Sequence, residues 1–270
     1  MPPLSATIIT LNEAAHIARA IRSFSCADEI IVIDAGSTDD TREIATRLGA
    51  RVFVHSWEGF AAQKNFAARQ ASHDWILSLD ADEELDAEAQ AAVRSWKNAA
   101  PQAEGYRFAR QARYLGRWIR HSGWYPDWKL RLYHRKYGQW VGSYVHESVK
   151  VEGRVETLPG KILHYTCDSL EEHRQRIEFY TDLAAAELAD REERVHWLRR
   201  AIAPPWTFAQ SYFFRLGFLD GAPGFWIAWM ASRYVSRKYA KWAKLTLAKR
   251  AASNKRAHVI RREDSEPPSC

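Results

Sequence analysis

Asp34-Ala35-Gly36-Ser37-Thr38-Asp39-Asp40 and Asp80-Ala81-Asp82-Glu83 decide how this chain of 270 residues reads. Each acidic stretch follows an apolar run of strand character, Glu29-Ile30-Ile31-Val32-Ile33 before the first and Trp75-Ile76-Leu77-Ser78-Leu79 before the second. In an open parallel sheet, ligands bind outside the carboxyl ends of the strands, so two clusters distant in sequence can face one crevice. Carboxylates are hard oxygen donors, and Mg²⁺ or Mn²⁺ takes one or two of them together with substrate phosphates. The pair predicts a site for a nucleotide diphosphate and a divalent cation.

Outward from these stretches, residues 5–10 read as a first strand, with Asn12 as the N-cap of a helix over 13–24. Ser37 or Thr38 is the expected cap of a second helix, which Gly49 ends. Residues 51–55 and 75–79 read as further strands, with helices over 61–72 and, after Asp86, to about 98. This alternation predicts a three-layer α/β/α sheet of Rossmann-like character. Short strands are expected over 106–110, 129–134 and 161–165. The segment 114–128, with three Trp and three Gly or Pro, reads as an active-site loop. From Ser169 the chain turns helical, with Asp168 or Ser169 as cap and Pro204-Pro205 as the expected stop. The organisation predicted is a catalytic domain over 1–168, a helical region over 169–250 and a disordered tail over 251–270.

Thr10-Leu11-Asn12-Glu13, the D-x-G-S-x-D and D-x-D-E segments, and Lys64-Asn65 between them resemble, in that order, the inverting family 2 glycosyltransferases with a GT-A fold. Trp124-Tyr125-Pro126-Asp127-Trp128-Lys129-Leu130-Arg131-Leu132, Val145-His146-Glu147 and Gly217-Phe218-Leu219-Asp220-Gly221 extend the likeness to the lipopolysaccharide core β-1,4-glucosyltransferase subgroup. The resemblance implies transfer of glucose from UDP-glucose to a saccharide or lipid-linked saccharide acceptor, with a divalent metal as cofactor. It implies that Asp34 contacts the nucleobase or ribose, that Thr10 and Glu13 help hold the base, and that Asn12 and Gly36 belong to the same donor pocket. Asp82 is the expected direct metal ligand, and Asp80 a ribose or water-mediated metal contact.

Each assignment has a plainer reading. The first acidic stretch is also turn and cap chemistry, although that leaves Asp34 unexplained at the end of an apolar strand. Asp80 and Asp82 are costly near one another unless a cation neutralises them. Lys64 is either a solvated helix charge or a cation offsetting the diphosphate. In the related enzymes an acidic pair containing the catalytic base lies where this chain has His146-Glu147. Glu147 is the first candidate for that base and Asp127 its rival, while His146 is a candidate metal ligand or a structural histidine. Two other classes stay open. Nucleotidyl transfer shares the paired carboxylates but wants a Gly-rich basic loop that residues 10–16 lack, and a docking protein would keep the fold without turnover.

The first 100 residues carry 9 Lys/Arg against 15 Asp/Glu, the remainder 30 against 18. The basic part suits phospholipid headgroups or a phosphorylated saccharide, and no nucleic-acid-binding module is recognisable. Three scattered cysteines argue against a disulfide framework, and the N-terminal residues lack the pattern of a secretory signal, so a cytoplasmic location is expected. The longest apolar run near the C-terminus, 224–231, is too short to span a bilayer. Arg233 to Arg250 holds seven Lys/Arg and no acid, interleaved with Tyr234, Tyr239 and Trp242. This stretch, with Trp226 and Trp229, predicts peripheral attachment to an anionic membrane surface at the cytoplasmic face of the inner membrane; packing on its own domain or in a homodimer is the alternative.

Overall fold

The computed structural model describes residues 1–142, 147–191 and 195–263, with side chains as far as Lys249. The chain forms two compact units, Met1–Asp168 and Ser169–Cys270.

In the first unit, strands β1 (Leu4–Thr10), β2 (Glu29–Asp34), β3 (Arg51–Val54) and β4 (Trp75–Asp80) alternate with helices α1 (Ile17–Ser23), α2 (Thr41–Arg47) and α3 (Phe60–Gln70). The short strand β5 (Glu83–Leu85) and helix α4 (Ala87–Asn98) follow, then β6 (Gly105–Tyr114), β7 (Arg117–Trp118), β8 (Asp127–His134), β9 (Gly138–Val141), β10 (Ser148–Val151) and β11 (Val155–Cys167). The main sheet runs β3-β2-β1-β4-β8-β6-β11-β5, with β7 paired on β6, while β9 and β10 form a separate ribbon. The first four strands are mutually parallel, and β8 joins β4 antiparallel. This is the three-layer architecture expected of the GT-A resemblance.

Period-two alternation divides the core between the two faces of the sheet. Leu4, Ala6 and Ile8 of β1, with Leu77 and Leu79 of β4, pack against Ile17, Ala20 and Ile21 of α1 and Ala89, Val93 and Trp96 of α4. Ile9, Ile31, Ile33 and Ile76 face the other way, onto Ala67 and Ala68 of α3 and Trp140 and Val149 of the ribbon. Strand order reverses beside β1, and register places Thr10 opposite Asp34 and Ile9 opposite Asp80. Three candidate residues thereby arrive together at the carboxyl ends of neighbouring strands, the usual position for a ligand in this topology.

Two expected caps are replaced. Asn12 does not start a helix: it lies in the left-handed region, φ 55°, and its Oδ1 accepts the Thr38 amide at 2.8 Å, so α1 begins only at Ile17. Neither Ser37 nor Thr38 caps α2, because the Ser37 hydroxyl accepts the Asn12 amide instead, and Asp39 takes the Thr41 amide at 3.1 Å. Asp86 caps α4 by accepting the Ala89 amide at 2.8 Å, and the same oxygen accepts the Lys161 amide of β11 at 3.0 Å.

The second unit consists of α5 (Leu170–Asp190), α6 (Trp197–Ala209), a π-helical turn (Gln210–Phe214), a 3₁₀ turn (Gly217–Asp220) and α7 (Ala222–Glu263). Ser169 caps α5 through the Glu172 amide. Pro204 and Pro205 lie inside α6 and do not end it; the residues whose carbonyls lose an amide donor, Arg200 and Ala201, are exposed to water, and a π-helical turn follows. The chain remains helical beyond residue 250, to Glu263, as the continuation of α7. Tyr239 and Trp242 are buried against Ala185 and Ala189 of α5. Lys241 pairs with Glu178 and Asp182, Arg237 with Glu178, and Lys249 with Asp190. Two of the rings expected at a membrane, and three of the cations, therefore serve the α5–α7 packing.

Gly160, where the β6–β11 register slips, holds φ 85°, and a Cβ there would lie 2.0 Å from the Ala89 backbone nitrogen. Gly160→Ala is expected to cost about 3 kcal/mol through overpacking and a disfavoured backbone, read as a lower urea midpoint at unchanged m-value.

Candidate active site

The end of β2 builds the candidate nucleobase pocket. Asp34 is fully buried, and its Oδ1 accepts the amides of Gly36 at 3.0 Å and Ser37 at 2.8 Å. Gly36 makes this turn possible through φ 104°, a conformation that side-chain-bearing residues rarely adopt. The second carboxylate oxygen, Oδ2, is buried with no hydrogen-bond partner, and so is the hydroxyl of neighbouring Thr10. Buried polar atoms are ordinarily satisfied, and leaving one unpaired costs about 1–3 kcal/mol. Glu13 sits beside this pocket with its carboxylate 2.6 Å from His16 Nδ1 and its amide on the Thr41 hydroxyl.

At the β4 end, Lys64 of α3 organises the charges. Its side chain is 1% exposed, its Nζ lies 2.8 Å from Asp80 Oδ1 and 3.3 Å from Glu147 Oε1, and it stands 4.3 Å over the Trp140 ring. The solvated-charge alternative for Lys64 is ruled out. The adjacent Asn65 binds both backbone groups of Trp140, at 2.9 and 3.0 Å, and so ties β9 to α3. Glu147, which leads into β10, is thereby brought to the same crevice as Asp80.

Arg131 on β8 completes the cluster. It donates to Asp80 Oδ2 at 3.1 Å and to both Glu83 oxygens at 2.8 Å, and Arg110 of β6 meets Glu83 at 3.0 Å. Burial alone would raise the Asp80 carboxyl, but Lys64, Arg131 and Arg110 outweigh it and hold it well below the usual carboxylate range. Burial would likewise lower the Arg131 guanidinium, and Glu83 and Asp80 reverse that. Glu83 begins β5 and anchors two arginines.

Asp82 faces a residue that sequence reasoning did not single out: His164 of β11, whose Nε2 lies 3.2 Å from Asp82 Oδ2. Asp127 lies apart from this pair, held by Arg110 at 2.6 and 3.0 Å and by Lys129 at 3.2 Å. Burial would raise its carboxyl, yet Arg110 and Lys129 keep it below the ordinary range, which makes it a poor proton acceptor. His146 falls outside the described residues.

Among the described residues no group of three or more His, Cys, Asp or Glu side chains is gathered as a metal cage. The donors present still fit a hard divalent cation. Asp82 and His164 offer oxygen and imidazole nitrogen side by side, and Mg²⁺ or Mn²⁺ at a diphosphate site takes its remaining ligands from phosphate and water. Arg131, Arg110, Trp140 and His164 all escaped the sequence reading. The available signal was Arg131 itself, a guanidinium flanked by Leu130 and Leu132, which must be paired if buried.

Asp80 and Asp127 both have lowered carboxyl pKa values in the folded chain, so the unfolded chain binds their protons first as pH falls. The stability they contribute is present above the ordinary Asp pKa of about 3.9 and is lost progressively on acidification below it. Thermal midpoints measured against pH are expected to hold steady from neutrality to about pH 5 and then fall, with a shallower acid slope in Asp127→Asn. An identical slope in that variant would remove Asp127 from the linkage.

The sequence pattern of Glycosyl transferase family 2 matches residues 5–148. An uncharacterised glycosyltransferase of Rickettsia typhi is 36% identical over 248 residues, 83% of this chain and 81% of that protein. The lipopolysaccharide core biosynthesis glycosyltransferase LpsC of Rhizobium meliloti is 30% identical over 257 residues, 88% of this chain and 93% of that one. Among solved structures, glucosyl-3-phosphoglycerate synthase from Mycobacterium tuberculosis, in complex with Mn²⁺, UDP and glucosyl-3-phosphoglycerate, is 32% identical over 30% of this chain and 34% of that chain, with a TM-score of 0.29. With more than half its length inside the family pattern and relatives matching along most of it, this chain is an enzyme of glycosyltransferase family 2.

Proposed function

We propose that this glycosyltransferase moves a hexose, glucose from UDP-glucose, to a saccharide acceptor of the lipopolysaccharide core with inversion at the anomeric carbon. The observation that carries the site assignment is the Lys64 bridge, which joins Asp80 of the donor side to Glu147, the candidate base, through one buried ammonium. The acceptor class rests on the extent of similarity to the Rhizobium protein and on the subgroup resemblance.

The nucleobase enters beside β2. Asp34 Oδ2 and the Thr10 hydroxyl, both buried and unsatisfied, take its polar edge, which supplies the partners these atoms lack. Asn12 and Glu13 shape that pocket by donating their amides to the Ser37 and Thr41 hydroxyls, and Gly36 by donating its amide to Asp34 Oδ1. Asp82 and His164 would hold Mg²⁺ or Mn²⁺, with Asp80 beside them. When bound, the cation offsets charge on the departing diphosphate. Lys64 adds a fixed cation near the same charge. Glu147 takes the proton of the acceptor hydroxyl as that oxygen bonds to the anomeric carbon and the bond from carbon to the diphosphate oxygen breaks. The products are the β-glycoside and UDP. The C-terminal unit holds the enzyme at the anionic cytoplasmic face of the inner membrane, where a lipid-linked acceptor is presented.

Glu147→Gln is expected to lower turnover by roughly 10² to 10⁴ while UDP-glucose binding by calorimetry stays within about threefold of wild type. If Asp127→Asn shows that pattern and Glu147→Gln does not, the two roles exchange.

Asp82→Ala and His164→Ala are each expected to abolish transfer and to weaken Mn²⁺ binding in the presence of UDP, with melting temperature preserved. Full activity in excess EDTA would overturn the metal assignment, and turnover of GDP- or dTDP-sugars in place of UDP-glucose would overturn the donor.

A further inference from the structure

Helix α6 is amphipathic, yet none of its residues is buried. Leu198, Ile202 and Trp206 recur every four residues, the spacing of one helical face, and all three are exposed, Ile202 by 59% and Trp206 by 54%. The exposed apolar surface continues without a break. Trp206 meets Phe214 at 5.6 Å, Phe208 touches Phe213 and Phe225, Tyr212 touches Phe218 and Phe225, and Phe225 stacks on Trp229 at 6.5 Å. Phe214 is 69% exposed and Trp229 49%, and Leu216 and Leu219 lie exposed in the turns between them. A contiguous aromatic surface of this kind marks a binding face rather than ordinary surface scatter.

Charge identifies what covers it. Arg199, Arg200 and Arg215 are exposed within or beside the surface. Between Trp197 and Lys249 the one acidic residue is Asp220, and it is buried. A two-fold self-interface would set this patch against its own copy, arginine facing arginine with no exposed carboxylate inside the patch to pair with. An anionic lipid surface meets both requirements at once, because rings sit at headgroup level with their apolar bodies in the acyl boundary while arginines reach phosphate. No helix of the described residues is long and apolar enough to cross a membrane, so the element lies in the interface.

We propose that residues 197–229, comprising α6, the π-helical and 3₁₀ turns and the start of α7, form a monotopic wedge that inserts into an anionic bilayer. This rests on the membrane attachment proposed above and moves the contact away from the basic stretch of α7, whose Tyr239 and Trp242 are buried and whose Arg237, Lys241 and Lys249 are paired.

The test is co-sedimentation of the full chain with vesicles of phosphatidylglycerol and phosphatidylcholine, and with phosphatidylcholine alone. Wild type is expected to pellet with the anionic vesicles only, and bromine-labelled acyl chains are expected to quench its tryptophan fluorescence. Combined Trp206→Ser, Phe214→Ser and Trp229→Ser should weaken binding about tenfold or more with unchanged circular dichroism. Arg199→Gln with Arg200→Gln and Arg215→Gln should weaken it and flatten its salt dependence. Should the triple aromatic variant misfold, Phe214→Ser alone is expected to give a several-fold loss. Binding without quenching, or wild-type binding by the aromatic variants together with loss in Lys238→Gln/Lys244→Gln, would overturn the wedge and leave membrane attachment standing. Absence of wild-type binding to any vesicle would overturn both. A wild-type dimer in sedimentation that the aromatic variant converts to monomer, without vesicle binding, would assign the face to a second copy.

Discussion

A buried ammonium has few stable solutions, and the one adopted by Lys64 organises the catalytic unit. Burying a charge costs several kcal/mol unless it is paired and well placed. Lys64 spreads its charge over Asp80, Glu147 and the face of Trp140. Those partners come from the end of β4, the residue just before β10 and the body of β9. One residue later Asn65 clasps the Trp140 backbone from the same helix. Two consecutive side chains of α3 thus fasten the small β9–β10 ribbon over the carboxyl ends of the strands where their order reverses.

Around this point positive and negative groups alternate: Lys64, Asp80, Arg131, Glu83, Arg110, Asp127 and Lys129 each contact the next. The chain gives the two candidate bases different fates. Asp127 lies near its end, gripped by a guanidinium fork and a lysine, and its affinity for a proton is correspondingly low. Among the described residues Glu147 meets Lys64 at 3.3 Å, and that lysine is shared with Asp80. Alternation of sign lets so many ionised groups sit close together beyond the carboxyl ends of the strands.

The parallel half of the fold was legible because its signals are local. Apolar strands ending in acidic turns, Ala-rich helices and the Asp86 cap all speak within a few residues. The departures came where a side chain answers a distant partner. Asn12 bonds to Thr38 across the carboxyl ends of the strands, which no helix-cap rule anticipates, and Pro204 and Pro205 remain inside a helix whose Arg200 and Ala201, left without amide donors, are exposed. The same physics hid His164 and Arg131. Each reaches the site through strand pairings formed after long intervals of chain, β11 beside β5 and β8 beside β4. Among the charges of α7, no sequence signal separated those that answer α5 from those facing solvent.

The strand order β4-β8-β6 has a consequence for how the chain is made. As synthesis proceeds, the first four strands and their helices emerge as a self-consistent parallel half. Its β4 edge, the mostly apolar stretch Trp75 to Leu79, has no partner until β8 leaves the ribosome about fifty residues later. Arg131 arrives on that incoming strand, and its guanidinium must find Asp80 and Glu83 as the edge is covered. Closing the vulnerable edge and assembling the charge cluster are one event, so a nascent chain whose β4 edge is safely paired already carries the charge framework of the candidate site.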